Sequence, residues 1–179
     1  MPWKNGAGTT VEIAVVPEHA GIDDFEWRVS RASVVADGDF SHFAGIDRSL
    51  ALLQGSGLRL RQPGAITQVD VKNNIAIFPG DVAVHATLID GAISDFNVMS
   101  RRTSCKHQLS HWTNAAPQTL PDHTVLLYCA QGRGRLVGGD AELLMSEDES
   151  VLFSLPDQVH TITLHADTGS RFYCVQIYR

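Results

Sequence analysis

The cadence of turns constrains this chain more than any other feature. Short runs of roughly four to eight residues, rich in β-branched and aromatic side chains, recur along almost its whole length, and each is stopped by a turn signal. Thr10–Val16 stops at Pro17, and Glu26–Val35 runs into the turn Asp37-Gly38-Asp39. Ser49–Leu53 ends at Gly55-Ser56-Gly57, Leu58–Gln62 at Pro63-Gly64, and Ala65–Val71 at Lys72-Asn73-Asn74. Ile75–Phe78 ends at Pro79-Gly80 and Val84–Ile89 at Asp90-Gly91, after which comes Ser94–Ser100. Strands this short and this regularly broken predict an all-β chain built as an antiparallel sandwich or barrel. No long amphipathic helix is written anywhere.

The texture changes once. Residues 101–122 are polar and carry Pro117 and Pro121, so they read as a strand or two fading into a connector. The cadence then resumes with Thr124–Ala130, Gly134–Val137, Ala141–Met145, Ser150–Leu155, Val159–His165 and Arg171–Tyr178. Across the connector runs a faint repeat. Leu52-Leu53-Gln54-Gly55 resembles Cys129-Ala130-Gln131-Gly132, and Phe78-Pro79-Gly80-Asp81 resembles Leu155-Pro156-Asp157. Asp95-Phe96-Asn97-Val98-Met99 aligns with Arg171-Phe172-Tyr173-Cys174-Val175; Gly55 to Phe96 spans 41 positions and Gly132 to Phe172 spans 40. Two copies of one small β unit account for this. The expected architecture is a bicupin, two antiparallel jelly-roll barrels in tandem, with residues 1–110 as an N-terminal module carrying a ligand pocket and residues 111–179 as a C-terminal cupin-like module; a single sandwich with no repeat is the alternative.

Composition narrows the function classes. With 179 residues the chain is long enough to bury a real core, and its formal net charge of −6 lacks the basic footprint of a general nucleic-acid binder. No apolar run approaches the roughly 20 residues that span a bilayer, and the opening Met1-Pro2-Trp3-Lys4 carries no apolar signal segment. Three scattered cysteines, Cys105, Cys129 and Cys174, form no CxxC pair, which speaks against a disulfide scaffold or a structural zinc. A reduced, cytoplasmic setting is the expectation.

Specific chemistries are weakly signalled. The eight histidines include no His-x-His pair, so no metal is expected. No Gly-x-Ser-x-Gly elbow occurs, and Cys129 and Cys174 lie in apolar runs as buried small hydrophobes. The glycine pairs Gly6-Ala7-Gly8, Gly55-Ser56-Gly57 and Gly132-Arg133-Gly134 read as β-turn glycines, since none leads from a strand into a helix. The strongest polar signal comes from face alternation. In Trp27–Ser33 one face carries Arg28, Ser30 and Ala32, and in Asp95–Met99 one face carries Asp95, Asn97 and Met99. If these faces look outward they are merely solvated. If they line a lumen, their polar groups must be paired or meet a ligand.

Three blocks in order, over roughly residues 1 to 102, resemble the HutD/Ves family. The first is Pro2-Trp3-Lys4-Asn5-Gly6-Ala7-Gly8-Thr9-Thr10 with Glu12-Ile13. The second is Trp27–Ala32 with Asp37-Gly38-Asp39-Phe40-Ser41 and Gly45-Ile46-Asp47-Arg48. The third is Gly80-Asp81 and Asp95–Met99 with Arg101-Arg102. Asp39 departs from the family's common proline at that place, and the chain opens almost on the first motif, where relatives carry a short upstream segment.

The resemblance implies a bicupin fold and a role tied to histidine utilisation or, for the Ves branch, to stress response. It implies binding of a small acidic metabolite such as formylglutamate or urocanate, in a regulatory capacity, without cofactor or metal, nucleic acid or membrane, and it leaves room for a homodimer. The expected ligand-binding residues are Lys4, Asn5, Glu12, Arg28, Ser30, Asp95 and Asn97. Arg28 is expected to hold a carboxylate, Asp95 to orient Arg28, and Lys4 and Asn5 to sit near the mouth. The alternative is a metal-free cupin enzyme, an isomerase or hydrolase, using Glu12, Asp95 or a histidine as acid and base. A purely structural module with a packed lumen is the third reading.

Overall fold

The computed structural model describes residues 8–112, 117–120, 123–153 and 160–179. Among them every regular element is a strand. No helix is long and apolar enough to cross a membrane. The chain divides into two compact units, Met1–Lys106 and His107–Arg179.

In the first unit the strands are β1 (Gly8–Val16), β2 (Trp27–Val34), β3 (Gly38–Asp39), β4 (Ile46–Gln54), β5 (Leu58–Gln62), β6 (Ala65–Val69), β7 (Ile75–Pro79), β8 (His85–Leu88) and β9 (Ile93–Arg101). They form two sheets with the orders β1-β2-β9-β4-β7 and β3-β8-β5-β6. Every register determined between neighbouring strands is antiparallel. The second unit follows with β10 (Lys106–Trp112), β11 (Gln118–Leu120), β12 (Thr124–Gln131), β13 (Arg133–Gly138), β14 (Ala141–Ser146), β15 (Ser150–Phe153), β16 (His160–Ala166) and β17 (Arg171–Tyr178). Its sheets run β10-β17-β12-β15 and β11-β16-β13-β14. Remove β1 and the two units have the same strand order, so the repeat read from the sequence is a duplication of topology.

The structure keeps the sequence alignment of Gln54-Gly55 with Gln131-Gly132 but shifts its last block by one residue. A bulge between Leu52 and Gln54 sets Gln54 opposite Ser94, and a matching bulge between Cys129 and Gln131 sets Gln131 opposite Arg171. Ser94, not Asp95, is therefore the counterpart of Arg171. The glycine after each bulge is held to its type. Gly55 sits at φ +94° with a Cβ position 2.7 Å from the Ala92 carbonyl oxygen, and Gly132 at φ +77° with one 2.3 Å from Ser170 Oγ.

Each unit closes on its own core. In the first, Val34, Leu50, Leu52, Ala76, Phe78 and Ile93 from one sheet meet Leu58, Leu60, Val69 and Ala86 from the other. In the second, Val125, Leu127, Cys129, Phe172 and Cys174 meet Leu136, Met145, Ile162 and Leu164. These buried aliphatic and aromatic side chains, at roughly 1.5–3 kcal/mol each, supply the main driving force for the fold.

Candidate functional site

The inner face of the larger sheet in the first unit mixes this core with charge. Residues paired across antiparallel strands share a face. Arg28, Met99 and Arg48 form one row across β2, β9 and β4, and Phe78 of β7 continues it. The next row inward is Glu12, Ser30, Asn97, Leu50 and Ala76; the next is Thr10, Ala32, Asp95 and Leu52. Arg28, Ser30, Arg48, Asp95 and Asn97 are all buried, Asp95 to within 1% of complete. Most of the polar groups thus lie on β2 and β9, Arg48 is the one charged side chain that β4 adds to this face, and Leu50, Leu52, Ala76 and Phe78 fill the rest of its β4–β7 side.

Arg48 is held by aromatic rings. Its guanidinium carbon lies 5.1 Å from the ring centroid of Phe40, 5.5 Å from Phe43 and 5.0 Å from Phe78. Desolvated cation–π contacts of this kind contribute up to about 2 kcal/mol each and soften the cost of burying the charge. Burial still lowers the Arg48 pKa to about 10, with Asp95 pulling it back up. Burial raises the Asp95 carboxyl to about 7, and the Arg48 charge opposes that rise. Among the described residues no hydrogen bond or ion pair joins these two opposite charges. Arg48 Nε, Asp95 Oδ1 and Asn97 Oδ1 are all shielded from solvent and lack a hydrogen-bond partner. Buried groups of this kind are normally satisfied, so one donor and two acceptors left open on one inner face set it apart from an ordinary core.

Arg28 is engaged differently. Its Nε donates to Glu12 Oε2 at 2.8 Å, across the edge between β1 and β2. Arg28 and Glu12 neutralise one another, and Asp95 faces Arg48 instead of orienting Arg28.

The aromatic ring of Phe43 is positioned by a clasp of backbone and charge. Phe43 N–H donates to the Gly80 carbonyl at 2.8 Å, and Gly80 N–H donates to the Ile46 carbonyl at 2.7 Å. A Cβ at Gly80 would fall 3.0 Å from the Ile46 oxygen and 3.1 Å from the Phe43 oxygen, so a larger residue there would crowd the clasp. Arg102 locks the outside. Its guanidinium donates to both carboxylate oxygens of Asp81, at 2.6 and 3.0 Å, and to Asp47 Oδ1 at 2.6 Å. Hydrogen bonding to Arg102 holds the Asp81 carboxyl down at about 2.

Of the residues expected from sequence, the structure places Glu12, Arg28, Ser30, Asp95 and Asn97 on one face of one sheet, while Lys4 and Asn5 lie outside the described residues. Sequence reasoning missed Arg48. The apolar run reads from Ser49, yet β4 begins at Ile46, and the period-two pattern Arg48, Leu50, Leu52 puts the guanidinium inside. Among the described residues no group of three His, Cys, Asp or Glu side chains gathers to hold a metal ion. An open groove on the second unit, lined by Arg133, Arg135, Leu144 and His165, is of another kind: its Arg135 is exposed and paired to Glu142 at 3.3 Å.

The family model HutD matches residues 1–173. Protein Ves of Citrobacter koseri is 42% identical over 105 residues, which cover 58% of this chain and 54% of that protein, so the chain spans about half the length of this curated relative. Among solved structures, a conserved protein of unknown function from Pseudomonas aeruginosa PAO1 superposes with a TM-score of 0.92 at 31% identity, covering 100% of this chain and 93% of that one. HutD from Pseudomonas fluorescens SBW25, in a formate condition, gives a TM-score of 0.85 at 26% identity, covering 99% and 92%. A cupin 2 conserved barrel protein from Leptotrichia buccalis, at 12% identity and a TM-score of 0.57 over 99% and 91%, shares the fold.

Proposed function

The chain belongs to the HutD family, and from that premise we propose that its first unit binds a small carboxylate, in a regulatory role tied to histidine utilisation. The observation that carries this reading is the set of unpartnered buried polar atoms, Arg48 Nε, Asp95 Oδ1 and Asn97 Oδ1, on one lumen face. A guanidinium in a low-dielectric site is a strong, directional carboxylate donor. Three aromatic rings lie within 5.5 Å of the Arg48 guanidinium carbon, and Arg48 Nε is left without a hydrogen-bond partner to offer an anion. The two orphan acceptors ask the same ligand for N–H or O–H groups, a demand that N-acyl amino acids and imidazole-bearing acids meet. Glu12 and Arg28 frame the site as a neutral pair, and small Ser30 and Ala32 leave room beside Asn97 and Asp95.

A thermal-shift screen with formate, acetate, glutamate, formylglutamate and urocanate tests it. A ligand at 100 times its Kd stabilises the fold by about 2.7 kcal/mol. Loss of that shift in Arg48→Met, with the fold retained, is the expected result; an unchanged shift in that variant places the ligand elsewhere.

One observation favours a second reading. A buried carboxyl near 7 facing an arginine suits proton transfer on a bound acid, as in a metal-free isomerase or hydrolase. Asp95-dependent solvent deuterium exchange into a bound carboxylate, followed by NMR, separates the two: a pure binding protein exchanges nothing.

A further inference from the structure

Resting on the reading of the first unit as a carboxylate site, we infer that its ligand enters the lumen together with one proton, which resides on Asp95. The charge inventory of the inner face carries the argument. Facing Asp95 are Arg28 from β2, Arg48 from β4 and Glu12 from β1. From the opposite sheet Leu58, Leu60, Val69 and Ala86 pack into the same core, and from β7 Ala76 and Phe78. On β9 itself, Arg101 directs its guanidinium away, to the carbonyl oxygens of Phe25 and Asp23 at 2.9 and 2.6 Å. Arg28 is already neutralised by Glu12 at 2.8 Å. Among the described residues the free balance of this face is therefore one cation, Arg48, against one anion, Asp95, with no ion pair or hydrogen bond between them.

A carboxylate bound to the edge of Arg48 takes over as its counter-ion. Asp95 is then left as a buried charge with no partner, which costs several kcal/mol in a site this dry. Taking up a proton from solvent removes that charge. It restores neutrality and turns the Asp95 oxygen into an O–H donor, which the incoming anion can accept. The step balances as Asp95 carboxylate, ligand carboxylate and one proton going to a neutral Asp95 carboxyl beside the bound anion. Asp95 is already poised for this, because burial holds its carboxyl up near neutrality before any ligand arrives.

Formate is the probe, since it is the smallest carboxylate and stays ionised throughout the range used. Its Kd is measured on the full chain by NMR titration from pH 5.5 to 8.5, at constant ionic strength set with chloride. We expect a flat Kd below neutrality and one that weakens by about tenfold per pH unit above it, the slope of one linked proton. In Asp95→Asn the Kd should not change with pH. As a readout that needs no variant, the Asp95 side-chain ¹³C shift in wild type at pH 8 should move to its protonated value on formate addition. A wild-type Kd independent of pH, or an Asp95 carboxyl that stays ionised when formate is bound, overturns the proton linkage and leaves carboxylate binding standing. Absence of formate binding at every pH overturns both.

Discussion

Phe172 stands in the second unit where Asp95 stands in the first. Counting from the two bulges, Ser94 corresponds to Arg171, so Asp95 corresponds to Phe172 and Asn97 to Cys174, while Arg48, three residues into its strand, corresponds to Val125. Phe172, Cys174 and Val125 are buried in an ordinary apolar core. The same three positions are therefore apolar in one copy and hold an amide and an unbridged Arg–Asp pair in the other. The first copy thus carries a buried charge pair that the scaffold itself does not require.

The cost is measurable as a pH dependence. The folded-state value for Asp95, about 7, lies above the ordinary carboxylate value of about 3.9 in the unfolded chain. The folded chain thus binds the extra proton, and the contribution of Asp95 is most favourable below pH 4. It is lost as pH climbs through 7, by at most about 4 kcal/mol at about 1.4 kcal/mol per pH unit. Replacing the pair by apolar residues, Arg48→Met with Asp95→Leu, should raise stability at pH 8 by about 1–4 kcal/mol. The gain should shrink at pH 5. Urea unfolding at the two pH values checks this; a double variant no more stable than wild type at pH 8 refutes the claim that the pair is costly.

Much of this architecture was written in the turn signals. Pro63-Gly64, Asn73-Asn74 and Asp90-Gly91 stop their strands within two residues of where the structure stops them, because glycine and proline act through the local backbone alone. What escaped depends on distant partners. Gly38–Asp39 reads as a turn but pairs with Ala86 and His85, a bridge that only the opposite strand can create. Ile46, Asp47 and Arg48 look too polar to continue an apolar run, yet Arg102 takes up Asp47 and three phenylalanines take up Arg48. The alignment of the repeat slipped by one residue for a related reason. Phe96 and Phe172 look alike, but Phe172 points into its lumen and Phe96 lies on the sheet face opposite Asp95 and Asn97. One residue of slip exchanges the faces.

The cysteines are expected to be silent in the native protein. Cys105, Cys129 and Cys174 form no disulfide and are buried, and burial pushes the thiols of Cys129 and Cys174 up to about 11. At pH 8 almost none of either is thiolate, the reactive form. Iodoacetamide followed by mass spectrometry should leave these two unmodified in native buffer and label them in urea; fast native labelling of either would mean that the second unit opens readily.

The aromatic cage should matter to affinity more than to folding. Phe40 is partly buried, packs against Phe78 with ring centroids 6.3 Å apart, and supplies one of the three faces against Arg48. Phe40→Leu keeps apolar bulk but removes the quadrupole, worth about 1–2 kcal/mol at a desolvated site. Arg48 then loses part of its fixed pose. Carboxylate affinity should fall about 5- to 30-fold by NMR titration, with melting lowered by only a few degrees. Unchanged affinity would show that the ring packs without positioning.

The clasp around Phe43 gives the last expectation. Arg102 joins Asp81 and Asp47 from the outer side, and the backbone bonds Arg102 N–H to Gly45 O and Phe43 N–H to Gly80 O close the loop that carries the cage ring. These charges are partly exposed, so ions in solution screen them. Arg102→Ala should therefore lower melting temperature at low salt, and the difference from wild type should narrow as sodium chloride is raised. The pH dependence runs opposite to that of Asp95. The Asp81 value is depressed to about 2, so its contribution is present above the unfolded value near 4 and is lost as pH falls from there through 2. The variant should thus lack part of the acid loss of stability that wild type shows between pH 4 and 2. Arg102→Lys restores charge but not the two-pronged contact with Asp81, and should recover less than half of the difference. If Arg102→Ala melts as wild type does at low salt and weakens no carboxylate binding, the clasp does not hold the cage.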